Sequence, residues 1–290
     1  MRILICGANG QLGLQFKDLY QGNDSFCFAT KEECDLRSAD SIHECISRFL
    51  PSVIINCAAY TDVQGAEHER CKAFELNTDA VGNLAQVCAK RGVRLIHIST
   101  DSVFDGVRNG GAYAETDPTG PLNVYSESKL LGEVEVQRFA PSGSAIVRVS
   151  WLYSNFGNNF YEKIIAKIDR SEEILVVNDQ FSSPSFGGKF VEFLHLLVTS
   201  PTWHGVEIFH YGDGGVCSWY DFATEIAHNM NYGGVVIPIN TPESGSMLRR
   251  PRYTKLSTNK IQHWFGWEPE DWRVNCRLSL QRRRAGRGRL

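Results

Sequence analysis

No stretch of this 290-residue chain approaches 18 consecutive apolar residues, so no segment reads as a membrane-spanning helix. Metal-ligating spacings are missing as well. The nine cysteines contain no Cys-x-x-Cys and the eight histidines no His-Glu-x-x-His, so a structural or catalytic zinc site is not expected. Nine is an odd number, and Cys6, Cys57 and Cys88 fall in apolar segments. They read as small buried residues of a protein kept in a reducing, cytoplasmic compartment, not as a disulfide framework. There is no internal repeat, and Met1-Arg2 leads straight into an apolar run, leaving no room for a signal peptide. Charge of one sign is also scarce, with a net of −3. It is unevenly placed: Arg277, Arg282, Arg283, Arg284, Arg287 and Arg289 carry +6, which leaves −9 on the rest. The body is acidic and no specific nucleic-acid or membrane partner is expected; the arginine-rich string 277–290, without hydrophobic periodicity, reads as a disordered, solvated basic tail, with weak non-specific binding of nucleic acid or anionic lipid as the alternative.

What is present, with 42% hydrophobic content, is enough apolar material for a large core. Arg2–Cys6 reads as a short buried strand that runs into Gly7-Ala8-Asn9-Gly10-Gln11-Leu12-Gly13 and then a helix through Tyr20. Glycines in such a turn allow positive φ and close approach of a pyrophosphate to backbone amides, with the helix amino end supplying unpaired N–H groups. A glycine turn without a ligand is the alternative; its place after a first strand favours a dinucleotide. The runs 53–58, 95–100 and 145–150 are continuously apolar and β-branched, with helical patterns between them. Strands covered on both faces imply a Rossmann-like, doubly wound parallel α/β sheet. Ligands then bind beyond the carboxyl ends of the strands, at Gly7, Ala58 to Thr61 and Thr100 to Ser102.

Residues 1–150 are read as the dinucleotide-binding domain and 151–276 as a smaller, partly interleaved lobe for the substrate. In that second half 158–168 suits a helix, 174–177 a strand and 186–198 a helix. A second strand over 26–30 ends in Thr30 and Lys31 where a carboxylate would read the ribose hydroxyls. NADPH is therefore expected to bind at least as well as NADH, although Lys31 reads equally as a solvated charge. His97, inside a strand, reads as a satisfied core residue.

The chemistry is carried by Tyr125-Ser126-Glu127-Ser128-Lys129, which sets a phenol and an ammonium one helical turn apart. A nearby cation eases proton donation from the phenol, as reduction of a carbonyl requires.

Together these features resemble the extended short-chain dehydrogenase/reductase family, and more closely its dTDP-4-dehydrorhamnose reductases. The likeness runs through GANGQLG (7–13), NCAAYTDV (56–63), STDSVFDG (99–106), PLNVYSESKLLGE (121–133), SWLY (150–153), NDQFSSPS (178–185), SWYDFA (218–223), RRPRYTKL (249–256) and PEDWR (269–273). It implies that Thr100 hydrogen-bonds the substrate carbonyl and Tyr125 protonates the alkoxide. It further implies that Lys129 holds the nicotinamide ribose while lowering the Tyr125 pKa. Gly7 to Gly13 would cradle the pyrophosphate, with Gly10, Gln11 and Leu12 touching it; Asp35 and Leu36 would meet the adenine, and Ala58, Ala59, Tyr60 and Thr61 the middle of the cofactor. Asp101 and Trp151 would face the sugar, although Asp101 also reads as a capping carboxylate and Trp151 as a core aromatic. Asn159 with Arg249 or Arg250 supplies amide and guanidinium donors for a diphosphate, although a surface arginine reads as well.

Two departures from the family stand out. Ser102 replaces the usual Tyr after Ser-Thr-Asp, and Gln15 replaces a Glu that helps hold magnesium between subunits in some relatives, so no metal-bridged dimer is expected, while a plain homodimer is left open. The implied reaction is NAD(P)H-dependent reduction of the C4 ketone of dTDP-4-dehydro-L-rhamnose to dTDP-L-rhamnose, for polysaccharide biosynthesis. Rivals are a non-catalytic dinucleotide-binding regulatory subunit and a reductase or epimerase of another nucleotide sugar.

Overall fold

The computed structural model describes every residue except 109, 202, 246 and 287–290. Its centre is a six-stranded, wholly parallel sheet. The strands are β1 (Ile3–Cys6), β2 (Phe26–Ala29), β3 (Val53–Asn56), β4 (Arg94–Thr100), β5 (Ser144–Val149) and β6 (Val206–Tyr211). Their order is β6-β5-β4-β3-β1-β2. The chain reverses direction of travel between β1 and β3, and this is the switch point where an open parallel sheet leaves a crevice.

One face is covered by α1 (Gln11–Tyr20), whose Leu12 and Phe16 pack on Ile3, Ile5 and Ile55. The other face is covered by α2 (Ala39–Phe49) and α3 (Ala80–Arg91), whose Ile42, Ile46, Val81 and Leu84 pack on Leu4, Ile54 and Leu95. Both faces of β1, β3 and β5 are buried, as their continuous apolar runs demand.

Residues beyond 150 also enter the core of the first half. Strand β6, not expected from the sequence, pairs with β5 along its whole length. Helix Gly187–Thr199 also places Phe190, Phe193, Leu194 and Leu197 in the core that holds Phe16. What stands apart is a separate cluster built from Phe160–Asp169, Ile174–Val177, Trp219–Asn229, Val236–Ile239 and Trp272–Arg284.

That last helix corrects the expectation of a disordered tail. Trp272, Cys276 and Leu280 are buried in the cluster, and Asn155 Nδ2 donates to the Ser279 carbonyl at 3.1 Å. Arg283 pairs with Glu162, and Arg282 lies over the Phe186 ring at 5.4 Å. The hydrophobic positions are few, so periodicity was weak, but Trp272, Cys276 and Leu280 are all buried. Arg287 and Arg289 lie outside the described residues.

Candidate active site

The glycine turn is shaped by contact, not by flexibility alone. Gly7 has φ of +74°, and a Cβ there would stand 2.7 Å from the Ala58 nitrogen, across the switch point. A Cβ on Gly13 would come within 2.4 Å of the Gly7 carbonyl, so this glycine lets α1 sit against the turn and has a packing role. Helix α1 begins at Gly10, which offers no side-chain cap, so its first-turn N–H groups face outward for an anion. The Leu12 side chain is in the core, so only its backbone can serve the ligand. Gln11 Nε2 donates to the Leu152 carbonyl at 3.1 Å and ties the turn to the second half of the chain. A helix amino end without a side-chain cap, reached through a turn too tight for a Cβ at Gly7, suits the pyrophosphate of a dinucleotide.

At the end of β2, Lys31 is exposed. Asp35 is gripped by Arg37 through Nη2 at 2.6 Å and Nε at 2.9 Å, which holds its carboxyl down at about 2. Leu36 is 3% exposed and its side chain belongs to the core, so its backbone is what this position offers an adenine. Arg37 is a second cation at this end, brought there by its pairing with Asp35 and not signalled by local spacing.

Beyond β3 the loop Ala58–Thr61 is fixed by a residue that sequence reasoning missed. Asn77 is fully buried within a π-helical turn, Glu75–Asp79. Its Oδ1 accepts the Tyr60 N–H at 2.8 Å, and its Nδ2 donates to the Tyr60 carbonyl and to Ser128 Oγ, both at 3.0 Å. A π turn breaks the 3.6-residue period, and functional sites often carry such breaks.

Thr100 ends β4, and Tyr125 and Lys129 lie on α4 (Val124–Phe139), whose start is fixed by Asn123 Oδ1 accepting the Ser126 N–H at 2.9 Å. Thr100 Oγ1 accepts the Ser102 N–H at 3.1 Å. Burial pushes the largely buried Tyr125 phenol up to about 12, the hydrogen-bonding Thr100 hydroxyl pulls it down, and the charge of Asp101 pushes it up. The two hydroxyls thus converge. Lys129 Nζ donates to the Ile98 carbonyl at 2.7 Å and lies 3.3 Å from His97 Nε2. Burial lowers Lys129 to about 8, against the opposing pull of Glu133 and Cys57.

Asp101 does not offer a free face to a sugar. It is 3% exposed, and its Oδ2 accepts from Thr254 Oγ1 at 2.5 Å and Ser182 Oγ at 3.2 Å. Burial raises it to about 6 in spite of these bonds. It is a hub that ties β4 to the segments around 182 and 254.

Asn159 is likewise engaged. It caps helix Phe160–Asp169, accepting the Glu162 N–H at 3.1 Å while its amide donates to the Ser154 and Phe156 carbonyls at 3.0 Å. The expected diphosphate contact through this amide is therefore corrected. Arg249, Arg250 and Arg252 instead line one open cleft of about 460 Å³ with Arg108, Phe181 and Tyr253. Arg108 alone of these pairs with a carboxylate among the described residues, Asp117 at 2.9 Å. Trp151 is half-exposed, adopts φ of +41°, and stacks on Trp219 with ring centroids 3.5 Å apart. A bulky residue in the left-handed region is strained and is held there by its surroundings. Trp219 was visible only inside the SWYDFA motif.

Three comparisons bear on this geometry. The model of the RmlD substrate binding domain matches residues 1–284. The dTDP-4-dehydrorhamnose reductase of Aggregatibacter actinomycetemcomitans is 35% identical over 285 residues, covering 93% of this chain and 95% of that protein. The spore coat polysaccharide biosynthesis protein SpsK of Bacillus subtilis is 34% identical over 283 residues, covering 97% and 98%. The crystal structure of dTDP-4-dehydrorhamnose reductase from Bacillus anthracis in complex with NADP is similar with a TM-score of 0.89 at 32% identity, covering 97% of this chain and 98% of that one.

Proposed function

This chain belongs to the RmlD substrate-binding family, and from that premise we propose that it is an NAD(P)H-dependent dTDP-4-dehydrorhamnose reductase, reducing the C4 ketone of dTDP-4-dehydro-L-rhamnose to dTDP-L-rhamnose. The Thr100 hydroxyl acting on the Tyr125 phenol at the carboxyl end of β4, in the same parallel sheet whose β1 ends in the glycine turn, carries this reading.

The cradle at Gly7, Gly10 and Gln11 holds the pyrophosphate on the α1 amino end, the clamped loop Ala58–Thr61 lines the middle of the cofactor, and Lys129 holds the nicotinamide ribose. NADPH supplies the hydride when bound. Thr100, its oxygen already fixed by the Ser102 N–H, orients the ketone oxygen. Tyr125 donates its proton to that oxygen as negative charge develops; a phenol near 12 stays protonated at neutral pH and matches an alkoxide acceptor. Lys31 and Arg37 at the β2 end support NADPH, with NADH also accepted.

The cleft with Arg249, Arg250 and Arg252 takes the diphosphate of the dTDP-sugar, and the Trp151–Trp219 stack borders the sugar. The cluster around Trp272 forms the substrate lobe. No helix among the described residues is long and apolar enough to cross a membrane. All nine cysteines are free, which supports a reducing cytoplasm as the place of work.

Purified protein supplied with NADPH and dTDP-4-dehydro-L-rhamnose tests the reading: one NADPH is consumed for each dTDP-L-rhamnose formed. Intact NADPH binding without turnover would instead favour a regulatory subunit.

A further inference from the structure

His97 is fully buried and sits between two groups that dictate where its proton lies. Asn56 Oδ1 accepts the Ala58 N–H at 3.0 Å, and this fixes the amide, because the reverse orientation would set two donors face to face. Asn56 Nδ2 then points at His97 Nδ1, 3.3 Å away, so Nδ1 must accept. A neutral imidazole with an accepting Nδ1 carries its hydrogen on Nε2. That Nε2 faces Lys129 Nζ at 3.3 Å, while Nζ also donates to the Ile98 carbonyl at 2.7 Å. An ammonium has no lone pair to receive the ring N–H; an amine does, and still has a hydrogen for Ile98.

We propose that Asn56 and His97 are positioning residues for Lys129: the fixed imidazole tautomer presents an N–H to the lysine nitrogen and favours its amine form before ligands bind. This rests on the reductase reading only for the importance of Lys129, not for the proton arrangement. Burial of His97 beside Lys129 also keeps the ring neutral, its pKa well below the ordinary histidine value. The other ionisable groups that face Lys129 are Glu133, itself paired with Arg148 at 2.6 Å, and Cys57 at the end of β3; both pull toward the ammonium. Neither is altered chemically in a His97 variant. Backbone packing keeps the parts in place: a Cβ on Gly132 would meet the Asn77 carbonyl at 2.1 Å, so α4 lies close against this cluster.

Nuclear magnetic resonance on the intact protein tests this without substrate. With nitrogen-15 histidine, the wild type is expected to show His97 protonated at Nε2 and bare at Nδ1; protonation at Nδ1 would overturn the proposal. With side-chain carbon-13 lysine, the signal lost in Lys129→Met identifies Lys129. In His97→Gln, whose amide oxygen can accept from an ammonium, the Lys129 midpoint is expected to rise by at least about one pH unit. An unchanged midpoint in a folded variant would overturn it. If His97→Gln does not fold, the wild-type tautomer decides alone. Failure of the reductase reading would appear as absent turnover while these spectra stayed as expected.

Discussion

Thr254 Oγ1 donates to Asp101 Oδ2 at 2.5 Å, across 153 positions of sequence. The contact joins the end of the strand that carries Thr100 to the segment that carries Arg249, Arg250 and Arg252, so the reducing centre and the arginine cleft are held in one frame.

This hub has a pH signature. A carboxyl whose folded pKa, about 6, lies above its ordinary value of 3.8 favours the fold in its protonated form. The stability it adds is present below about pH 4 and is lost as pH rises through about 6. A two-unit shift corresponds to at most ~3 kcal/mol. Asp213, raised to about 7 by burial, slopes the same way but is common to wild type and variant. Thermal melts between pH 4 and 7 should therefore show a steeper fall for the wild type than for Asp101→Asn; parallel curves would remove the buried-hub account.

The carboxyl-terminal helix should be needed for folding. Truncation after Arg273 removes Cys276, Ser279 and Leu280, all buried. Loss of Leu280 alone removes roughly 1.5–3 kcal/mol of burial. We expect the truncated chain to melt well below the full chain, or to be insoluble, and to lose most reductase activity. Unchanged melting would mean that the helix is dispensable.

Close packing at the glycine turn is equally open to test. In Gly13→Ala the new methyl must displace α1 from the Gly7 carbonyl, at a cost of about 1–3 kcal/mol. NADPH affinity should fall at least about tenfold in titrations by fluorescence, since the shift moves the same N–H groups that receive the pyrophosphate. An unaltered Kd would show that the turn does not hold the cofactor.

The indole pair separates binding from chemistry. Trp219→Ala takes away the ring on which Trp151 stacks and releases its strained backbone. An aromatic pair contributes about 0.5–1.5 kcal/mol beyond its buried area. The KM for the sugar nucleotide should rise about 3- to 10-fold by steady-state kinetics, with kcat within about threefold. A fall in kcat with KM unchanged would move this pair out of the substrate-binding role.

Much of this was legible in advance, and for definite reasons. The strands ending at Cys6, Asn56 and Thr100 announce themselves through continuous apolar runs, because a parallel sheet hides both faces. Tyr125 and Lys129 were found because one helical turn of sequence contains both. Residues whose meaning depends on distant partners stayed hidden. Asn77 sits in a turn with no regular period, His97 shows its role only once Asn56 and Lys129 flank it, and β6 reads as an ordinary mixed segment until it lies against β5. The side-chain partners of Asp101 and Asn159, at Thr254, Ser182 and Ser154, are likewise matters of folding, not of local spacing.

The proton donor is the centre of the account. Tyr125→Phe removes one hydroxyl and leaves Thr100, Lys129 and the glycine turn as they are. Loss of a general acid costs typically 10²- to 10⁴-fold. Rapid mixing of the variant and its saturating NADPH with dTDP-4-dehydro-L-rhamnose measures hydride transfer in a single turnover. The account predicts a rate at least about 100-fold below wild type, with NADPH affinity within about threefold. Transfer at a near-normal rate would contradict it.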